Sequence, residues 1–198
     1  MRIVGGAFRG RKLLVPGGKL TRPTTERVRE ALFNMLGTTV QQRSVLDLYA
    51  GSGSLGIEAL SRGARQAVFV EIAKSAADAV RANLSAVSLT DSQTAHVVQR
   101  PIEHSIDTLR RLGPFDLCLI DPPFASVRDG SALRAVQLVA SSHVLTQDAI
   151  LVIEYPSDQP DPSLGGLTCF DVRGYGDTRL AFFRPTEPGG NIGLGDPC

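Results

Sequence analysis

A carboxylate, two prolines and an aromatic ring end an apolar stretch in the middle of the chain. In DLCLIDPPFASV, residues 116–127, the apolar half predicts a buried strand that stops at Asp121. Because proline has no N–H, Pro122 and Pro123 stiffen the backbone and leave the Asp121 carboxylate and the Pro122 carbonyl as a row of acceptors. Two acceptors suit an exocyclic amine, which has two N–H donors, and Phe124 can cover the attached ring.

A second group of residues could hold a nucleoside. Gly51, Gly53 and Gly56 follow an apolar run with the spacing GxGxxG, which permits a tight turn and a close approach of the backbone to a ligand. Asp47 lies in the preceding strand, where a carboxylate suits an ammonium group. Glu71 ends the next strand, where it can accept hydrogen bonds from ribose hydroxyls. The combination favours an amino-acid nucleoside over a dinucleotide.

The elements that must position these residues alternate regularly from Val45 onward. Short apolar runs predict five strands, at VLDLYA, AVFVEI, AHVVQR, FDLCLID and AILVIEY. Helical windows separate them, at LGIEALSR, SAADAVRANLSAV, IEHSIDTLRRL and SALRAVQLVASS. Such an order predicts a mostly parallel, doubly wound sheet whose ligands lie beyond the carboxyl ends of its strands. Two β-rich runs around RGYGD then predict a closing antiparallel hairpin.

Basic residues concentrate at the amino-terminal end, although the net charge of the chain is only +1. The first 29 residues carry eight arginines and lysines against one acidic residue, Glu26. IVGGAFRGRKLLV predicts a β-hairpin, and TTERVREALFNMLG predicts a helix with Val28, Leu32 and Met35 on its apolar face. The cluster is suited to binding nucleic-acid phosphates, and a solvated arm without a partner is the alternative.

The composition and length allow one sizeable core. With 198 residues and 42% hydrophobic content, one domain with a small appendage is expected. No apolar run approaches the roughly 18 residues of a membrane-spanning helix, and the first residues do not look like a signal peptide, so we expect a cytoplasmic protein without membrane contact. The three cysteines lack metal-ligand spacing, and no metal is predicted.

Taken together, these motifs resemble the Rossmann-like S-adenosylmethionine-dependent methyltransferases with a [D/N]PP[F/Y/W] motif, which modify planar amino nitrogens. More narrowly, the ordered set is similar to the RsmD family, which methylates guanine N2 in bacterial small-subunit ribosomal RNA. The matching segments are MRIVGGAFRGRKL, RPTTERVREALFNML, VLDLYAGSGSLGIEAL, FVE, DPPF and YGDTRLAFF. DPPF alone would not separate RNA from DNA or protein substrates.

The resemblance implies an α/β, Rossmann-like methyltransferase fold: a mostly parallel seven-stranded sheet with a C-terminal antiparallel hairpin and a small N-terminal β-hairpin appendage. Residues 1–22 would form the basic RNA-binding hairpin, 23–185 the methyltransferase domain and 186–198 a disordered tail. The cofactor would be S-adenosyl-L-methionine. The substrate would be ribosomal RNA, naked or in an assembling small subunit, and we expect a monomer.

The resemblance also assigns roles to residues. The catalytic residues would be Asp121, Pro122 and Phe124. Cofactor-binding residues would be Asp47, Tyr49, Gly51, Ser52, Gly53, Glu71, Ile72 and Ile102, with Asp47, Gly51 and Gly53 at the methionine end, Glu71 at the ribose and Ile72 against the adenine. The candidates for RNA binding are Arg9, Arg11, Arg22, Arg27 and Arg29. One departure is Pro101, which stands where many relatives have a polar residue at the adenine edge, so only a packing contact from Ile102 is expected there.

Three other function classes are compatible with parts of this pattern. A DNA adenine-N6 methyltransferase would use DPPF equally well, but no separate target-recognition segment is visible. A nicotinamide-dependent oxidoreductase would use a similar glycine loop, but Asp47 and DPPF argue against it. A non-catalytic RNA-binding module would not need Asp47, Glu71 and Asp121.

Overall fold

The computed structural model describes residues 1–15, 26–90 and 93–186. A seven-stranded sheet runs through it in the order β3-β2-β1-β4-β5-β7-β6. The strands are β1 (Ser44–Leu48), β2 (Gln66–Val70), β3 (Ala95–Val98), β4 (Phe115–Ile120), β5 (Leu145–Pro156), β6 (Leu167–Tyr175) and β7 (Thr178–Pro185). Neighbouring strands among the first five are parallel, whereas β7 lies antiparallel to both β5 and β6.

Helices connect the strands and cover both faces of the sheet. They are α1 (Glu26–Leu36), α2 (Ser54–Ser61), α3 (Lys74–Ala86), α4 (Ile106–Leu112), α5 (Phe124–Arg128) and α6 (Ser131–Ser141), with 3₁₀ turns at Gly37–Val40 and Ile102–His104. All five predicted strands, the closing hairpin and the four helical windows are confirmed. The third window is divided into a 3₁₀ turn and α4, and the short α5 directly after DPPF was not predicted.

Side chains of the central strands alternate between two cores, as the pleat of a strand requires. In β1, Val45 belongs to the core beneath α1, α2 and α3, whereas Leu46 and Leu48 belong to the core beneath α4 and α6. Every residue of β1 is buried, because helices cover both faces. Asp47 therefore lies on the same face as Val45, under α2.

The first residues of the chain pack against α2. Arg2 and Lys12 form an antiparallel bridge, and Ile3 and Leu13 are buried in the core that α1, α2 and α3 cover. The predicted hairpin is thus present as a short antiparallel pair that lies on the main domain. The predicted boundary at residue 22 and residues 187–198 of the predicted tail 186–198 lie outside the described residues. Among the described helices, none combines the length and apolar character needed to cross a membrane.

Candidate active site

The loops after β1 and β4 meet at the point where the strand order reverses. Leu48, at the end of β1, pairs with Val70 of β2 on one side and with Ile120 of β4 on the other. The glycine loop, Glu71 and Asp121 all follow these aligned ends. Ligands of open α/β sheets bind beyond the carboxyl ends of the strands at such a point. The structure therefore places the glycine loop and Glu71 at the same edge of the sheet as the DPPF segment.

The glycine loop turns sharply because its residues adopt left-handed backbone conformations. Tyr49, directly after β1, has φ +59°, and Gly53, which precedes α2, has φ +77°. A non-glycine residue in this region carries backbone strain, and such strain is often found at functional sites. Burial, with smaller contributions from Glu103 and Asp129, raises the pKa of Tyr49 to about 12, so its phenol is neutral at physiological pH.

Asp47 supports the loop from beneath. Its side chain is buried, and its Oδ2 accepts a hydrogen bond of 2.9 Å from the backbone N–H of Gly56 in α2. Burial raises the pKa of this carboxyl well above its usual range, and the charges of Asp121 and Glu71 raise it further, whereas the Gly56 N–H lowers it. Contact between Asp47 and a cofactor ammonium group stays a prediction, because its observed contact is with the loop.

Glu71 joins the end of β2 to the glycine loop. One oxygen accepts a hydrogen bond of 2.9 Å from the N–H of Gly51, and the other accepts one of 2.8 Å from the N–H of Ala73. A carboxylate has about four acceptor sites, so hydroxyl groups of a ligand can still bind it. The next residue, Ile72, leaves 66% of its surface exposed, so its apolar side chain is accessible to the face of a planar ring. Ile102 is instead buried in the core beneath α4 and α6.

The DPPF segment leaves β4 beside the glycine loop. The N–H of Asp121 lies 3.5 Å from the carbonyl of Leu48, the last residue of β1. Pro122 is buried, and Phe124, which begins α5, is half-buried. Because the charge of Asp121 also raises the pKa of Asp47, the two carboxylates belong to one electrostatic environment.

A cavity of about 340 Å³ opens beside Phe124. It is lined by Phe124, Arg128, Pro156, Ser157, Asp158 and Asp177. Sequence reasoning did not select Arg128, Pro156, Ser157 or Asp158. The end of the predicted strand AILVIEY could have indicated the residues after β5, since its carboxyl end reaches the same sheet edge. Asp177 lies next to the residues after β5 because Pro156 pairs with Thr178 at the start of β7.

The predicted RNA-binding arginines do not share one environment. Arg9, Arg11 and Arg27 are exposed, and Arg22 lies outside the described residues. The prediction for Arg29 is wrong: its side chain is fully buried, 3.6 Å from a carboxylate oxygen of Glu58, and donates a hydrogen bond to the Arg2 carbonyl.

The reason for the burial of Arg29 is its position on α1. It shares a face with Phe33 and Leu36, four and seven residues later, and both are buried. Met35, predicted on the apolar face, is instead 38% exposed. The buried face of α1 is therefore rotated relative to the predicted one.

Two buried polar side chains tie the amino-terminal residues to the site. Glu58 of α2 accepts hydrogen bonds of 2.8 Å from the N–H of Val4 and from Arg62 Nε. Asn83 of α3 accepts a hydrogen bond from the N–H of Leu14 and donates to the carbonyls of Leu14 and Ser52, at 2.7–2.9 Å. Since Ser52 belongs to the glycine loop, Asn83 links that loop directly to the basic segment. Neither residue was predicted as part of the site.

Comparison with known proteins identifies the family. Residues 1–184 match the family model described as "Conserved hypothetical protein 95". The Haemophilus influenzae protein named "Ribosomal RNA small subunit methyltransferase D" is 37% identical over 163 residues, which cover 81% of each chain. The Escherichia coli K12 protein of the same name is 35% identical over 155 residues, covering 78% of this chain and 74% of that one.

A solved structure agrees with this match. The protein yhhF from Escherichia coli superposes with a TM-score of 0.78 and 32% sequence identity, covering 93% of this chain and 97% of that chain. The similarity thus extends over the amino-terminal pair, the glycine loop and DPPF alike. By the family match and the two named relatives, this chain belongs to the family of ribosomal RNA small subunit methyltransferase D, the RsmD family.

Proposed function

We propose that this protein transfers the methyl group of S-adenosylmethionine to the exocyclic N2 amino group of a guanine in 16S ribosomal RNA. The observation that carries the proposal is the position of Asp121, which leaves β4 beside the end of β1 and its glycine loop. An acceptor pair for an amine thus adjoins a loop suited to a nucleoside. Family membership supports the RNA substrate, since the relatives are named for small-subunit ribosomal RNA.

The residues present fit S-adenosylmethionine. Glu71 offers acceptor sites for ribose hydroxyls, and the exposed side chain of Ile72 offers an apolar surface for the adenine. Gly51 and Gly53 leave the backbone of the loop open to the methionine end, with Tyr49 and Ser52 beside them in the sequence and the carboxyl group of Asp47 beneath. When bound, S-adenosylmethionine supplies a methyl group on a positively charged sulfur, which is already strongly electrophilic.

The contribution of the protein is then mainly orientation of the target amine. The lone pair of a guanine amino group is delocalised into the ring, so the nitrogen is a weak nucleophile. If the Asp121 carboxylate and the Pro122 carbonyl accept its two hydrogens, the nitrogen is held in position and can pyramidalise. Positioning of this kind can contribute about 7–11 kcal/mol at best. Methylation makes the nitrogen cationic, and its proton can leave through Asp121 to solvent.

The RNA must present an unstacked base and a phosphate backbone. Phe124 offers a ring on which an extruded guanine can stack, and a loop nucleotide costs less to extrude than a paired one. Arg9, Arg11 and Arg27 are exposed and can contact phosphates. We therefore expect RNA affinity to fall with rising salt, and the slope to become shallower when these arginines are replaced. An affinity that does not respond to salt would contradict this part of the proposal.

Tritium transfer from labelled S-adenosylmethionine tests the reaction class. Small-subunit RNA should become labelled, duplex DNA should not, and no absorbance change should occur with NADH. Asp121→Ala should remove most turnover and leave cofactor affinity nearly unchanged, because Asp121 is proposed to touch only the amine. Asp148→Ala, at an exposed aspartate away from the site, is the control. Labelling of adenine in DNA would instead indicate an amino-methyltransferase for DNA.

Three finer expectations belong to the same proposal. We infer that the reaction occurs in the cytoplasm, where ribosomal RNA is assembled into subunits. We also infer that the protein acts as a monomer. Naked RNA and an assembling small subunit are both possible substrates. Comparing tritium transfer to purified 16S RNA and to isolated small-subunit particles, together with light scattering of the protein, would test these expectations.

A further inference from the structure

We propose that Arg128 recognises the O6 atom of the target guanine, and that Asp158 positions Arg128 for this contact. The inference rests on the proposed function and extends it from the methylated nitrogen to the choice of base. It is carried by the cavity beside Phe124, whose lining includes both residues.

The cavity is a preformed space next to the DPPF segment. Its volume of about 340 Å³ lies within the range of small-ligand sites, roughly 300–1,000 Å³. α5 forms one wall, and the residues after β5 form the other. A hydrogen bond of 2.9 Å from the N–H of Ser157 to the carbonyl of Asp177 joins that second wall to the turn before β7. A base stacked on Phe124 would therefore have its edge facing the wall that the residues after β5 form.

Arg128 is held at this edge by two contacts. It lies four residues after Phe124, on the same side of α5, and its guanidinium carbon is 5.9 Å from the centre of the Phe124 ring. Across the cavity, Nη2 donates to both carboxylate oxygens of Asp158, at 2.9 and 3.2 Å. Nη1 and Nε make no hydrogen bond within the described part of the chain. The guanidinium is thus oriented while most of its donors remain available.

The pair is too exposed to be explained by folding stability. The Arg128 and Asp158 side chains are 47% and 63% exposed, and ion pairs of this kind contribute little to stability. The same exposure leaves the guanidinium, which is held beside the Phe124 ring, accessible to a ligand. An arginine donor is the common partner of guanine O6.

The hydrogen-bonding groups of the purine bases show how this contact would distinguish guanine. Guanine carries O6, an acceptor, on the same edge as its N2 amino group. With N2 at Asp121, a donor is needed for O6, and Arg128 is the cationic donor of the cavity lining. Adenine and 2,6-diaminopurine carry an amino group in place of O6, so donors would face donors. Arg128 would therefore select guanine among purines.

A substrate that lacks O6 tests the contact. In an RNA target carrying 2-aminopurine, the N2 amino group is kept, whereas O6 and the N1 proton of guanine are missing, so the comparison with Arg128→Ala isolates the part that belongs to O6. The wild-type protein should methylate the guanine RNA with a kcat/KM about 10–100-fold higher than the 2-aminopurine RNA, as expected for loss of one charged hydrogen bond. Arg128→Ala should lower kcat/KM on guanine by a similar factor and leave the value on 2-aminopurine unchanged. Retained activity on 2-aminopurine would also show that the variant is folded.

Two further variants sharpen the test. Asp158→Asn should reduce the preference for guanine only in part, because Arg128 is still present but less well oriented. Arg134→Ala, at an exposed arginine of α6 outside the cavity lining, should leave the preference intact. If Arg128→Ala instead lowers activity on both bases equally and makes the salt dependence shallower, Arg128 contacts a phosphate and the inference is wrong. If the wild-type protein methylates no guanine RNA, the proposed function itself fails.

Discussion

Replacing Gly56 by alanine tests how tightly the glycine loop is built over Asp47. Gly56 lies in α2, where alanine is normally the better residue by about 0.5–1 kcal/mol. In this structure, however, a Cβ at position 56 would lie 2.3 Å from Cε1 and 2.8 Å from Cζ of Phe69, and 3.0 Å from Oδ2 of Asp47. Phe69 is a fully buried ring on β2, so it cannot turn away into solvent.

The size of the effect follows from these distances. A ring in a packed core must shift by more than an ångström to restore an ordinary contact, and overpacking of this kind costs about 1–3 kcal/mol. Subtracting the gain in helix propensity leaves a net loss on the order of 1–2 kcal/mol. For a domain of this length, the melting temperature should fall by about 2–8 °C. Cofactor affinity should fall as well, because the Gly56–Asp47 hydrogen bond would be displaced.

Thermal unfolding and calorimetric titration with S-adenosylmethionine would measure both effects. The control is Gly174→Ala, since a Cβ there meets nothing within 4 Å and the backbone has no left-handed φ. This variant should unfold like the wild type and bind the cofactor equally well. A Gly56→Ala protein as stable as the control, with unchanged affinity, would refute the packing described around Asp47.

Three other perturbations have defined outcomes. Asp47→Asn should raise the free energy of unfolding at pH 8, because burial raises the pKa of Asp47 and makes its ionised form costly. This gain should vanish below the usual carboxyl pKa of 3.8, where Asp47 is protonated in both the folded and the unfolded state. Urea unfolding at pH 8 and pH 3.5 would measure the gain, and an equal gain at both pH values would contradict the reasoning. Glu58→Ala should cost about 3–5 kcal/mol in the same assay by leaving Arg29 buried without its counter-charge, and adding Arg29→Met should recover part of the loss; no recovery would contradict the pairing. Asn83→Ala should speed trypsin cleavage within residues 1–15, because three hydrogen bonds to that segment and the glycine loop involve Asn83; cleavage at the wild-type rate would mean that the segment is held in other ways.

Local patterns were sufficient to predict the elements that carry the chemistry. The apolar run before Asp121 and the two prolines after it define a strand end in a few residues, and the glycine spacing after β1 defines a strand-to-helix turn. The alternation of strands and helices then determines that both lie at one sheet edge. The insertion of β7 between β5 and β6 was not predicted, because pairing between distant strands leaves no local signal in the sequence.

The errors and omissions have equally physical causes. Arg29 was assigned to the surface by its charge, but its position on α1 relative to Phe33 and Leu36 places it in the core, where Glu58 compensates it. The cavity residues after β5 were missed because no chemical motif marks them. Asn83 was missed for a similar reason, since a single asparagine in a helix gives no indication of a distant partner.

Mass-spectrometric mapping of methylated nucleosides in 16S ribosomal RNA tests the central claim most directly. RNA would be taken from cells that lack this protein, and from the same cells after the wild-type or the Asp121→Ala protein is restored. The proposed function predicts the loss of one N2-methylguanosine, which returns with the wild-type protein and does not return with Asp121→Ala. An unchanged set of methylated nucleosides in the deficient cells would contradict methylation of 16S RNA by this protein.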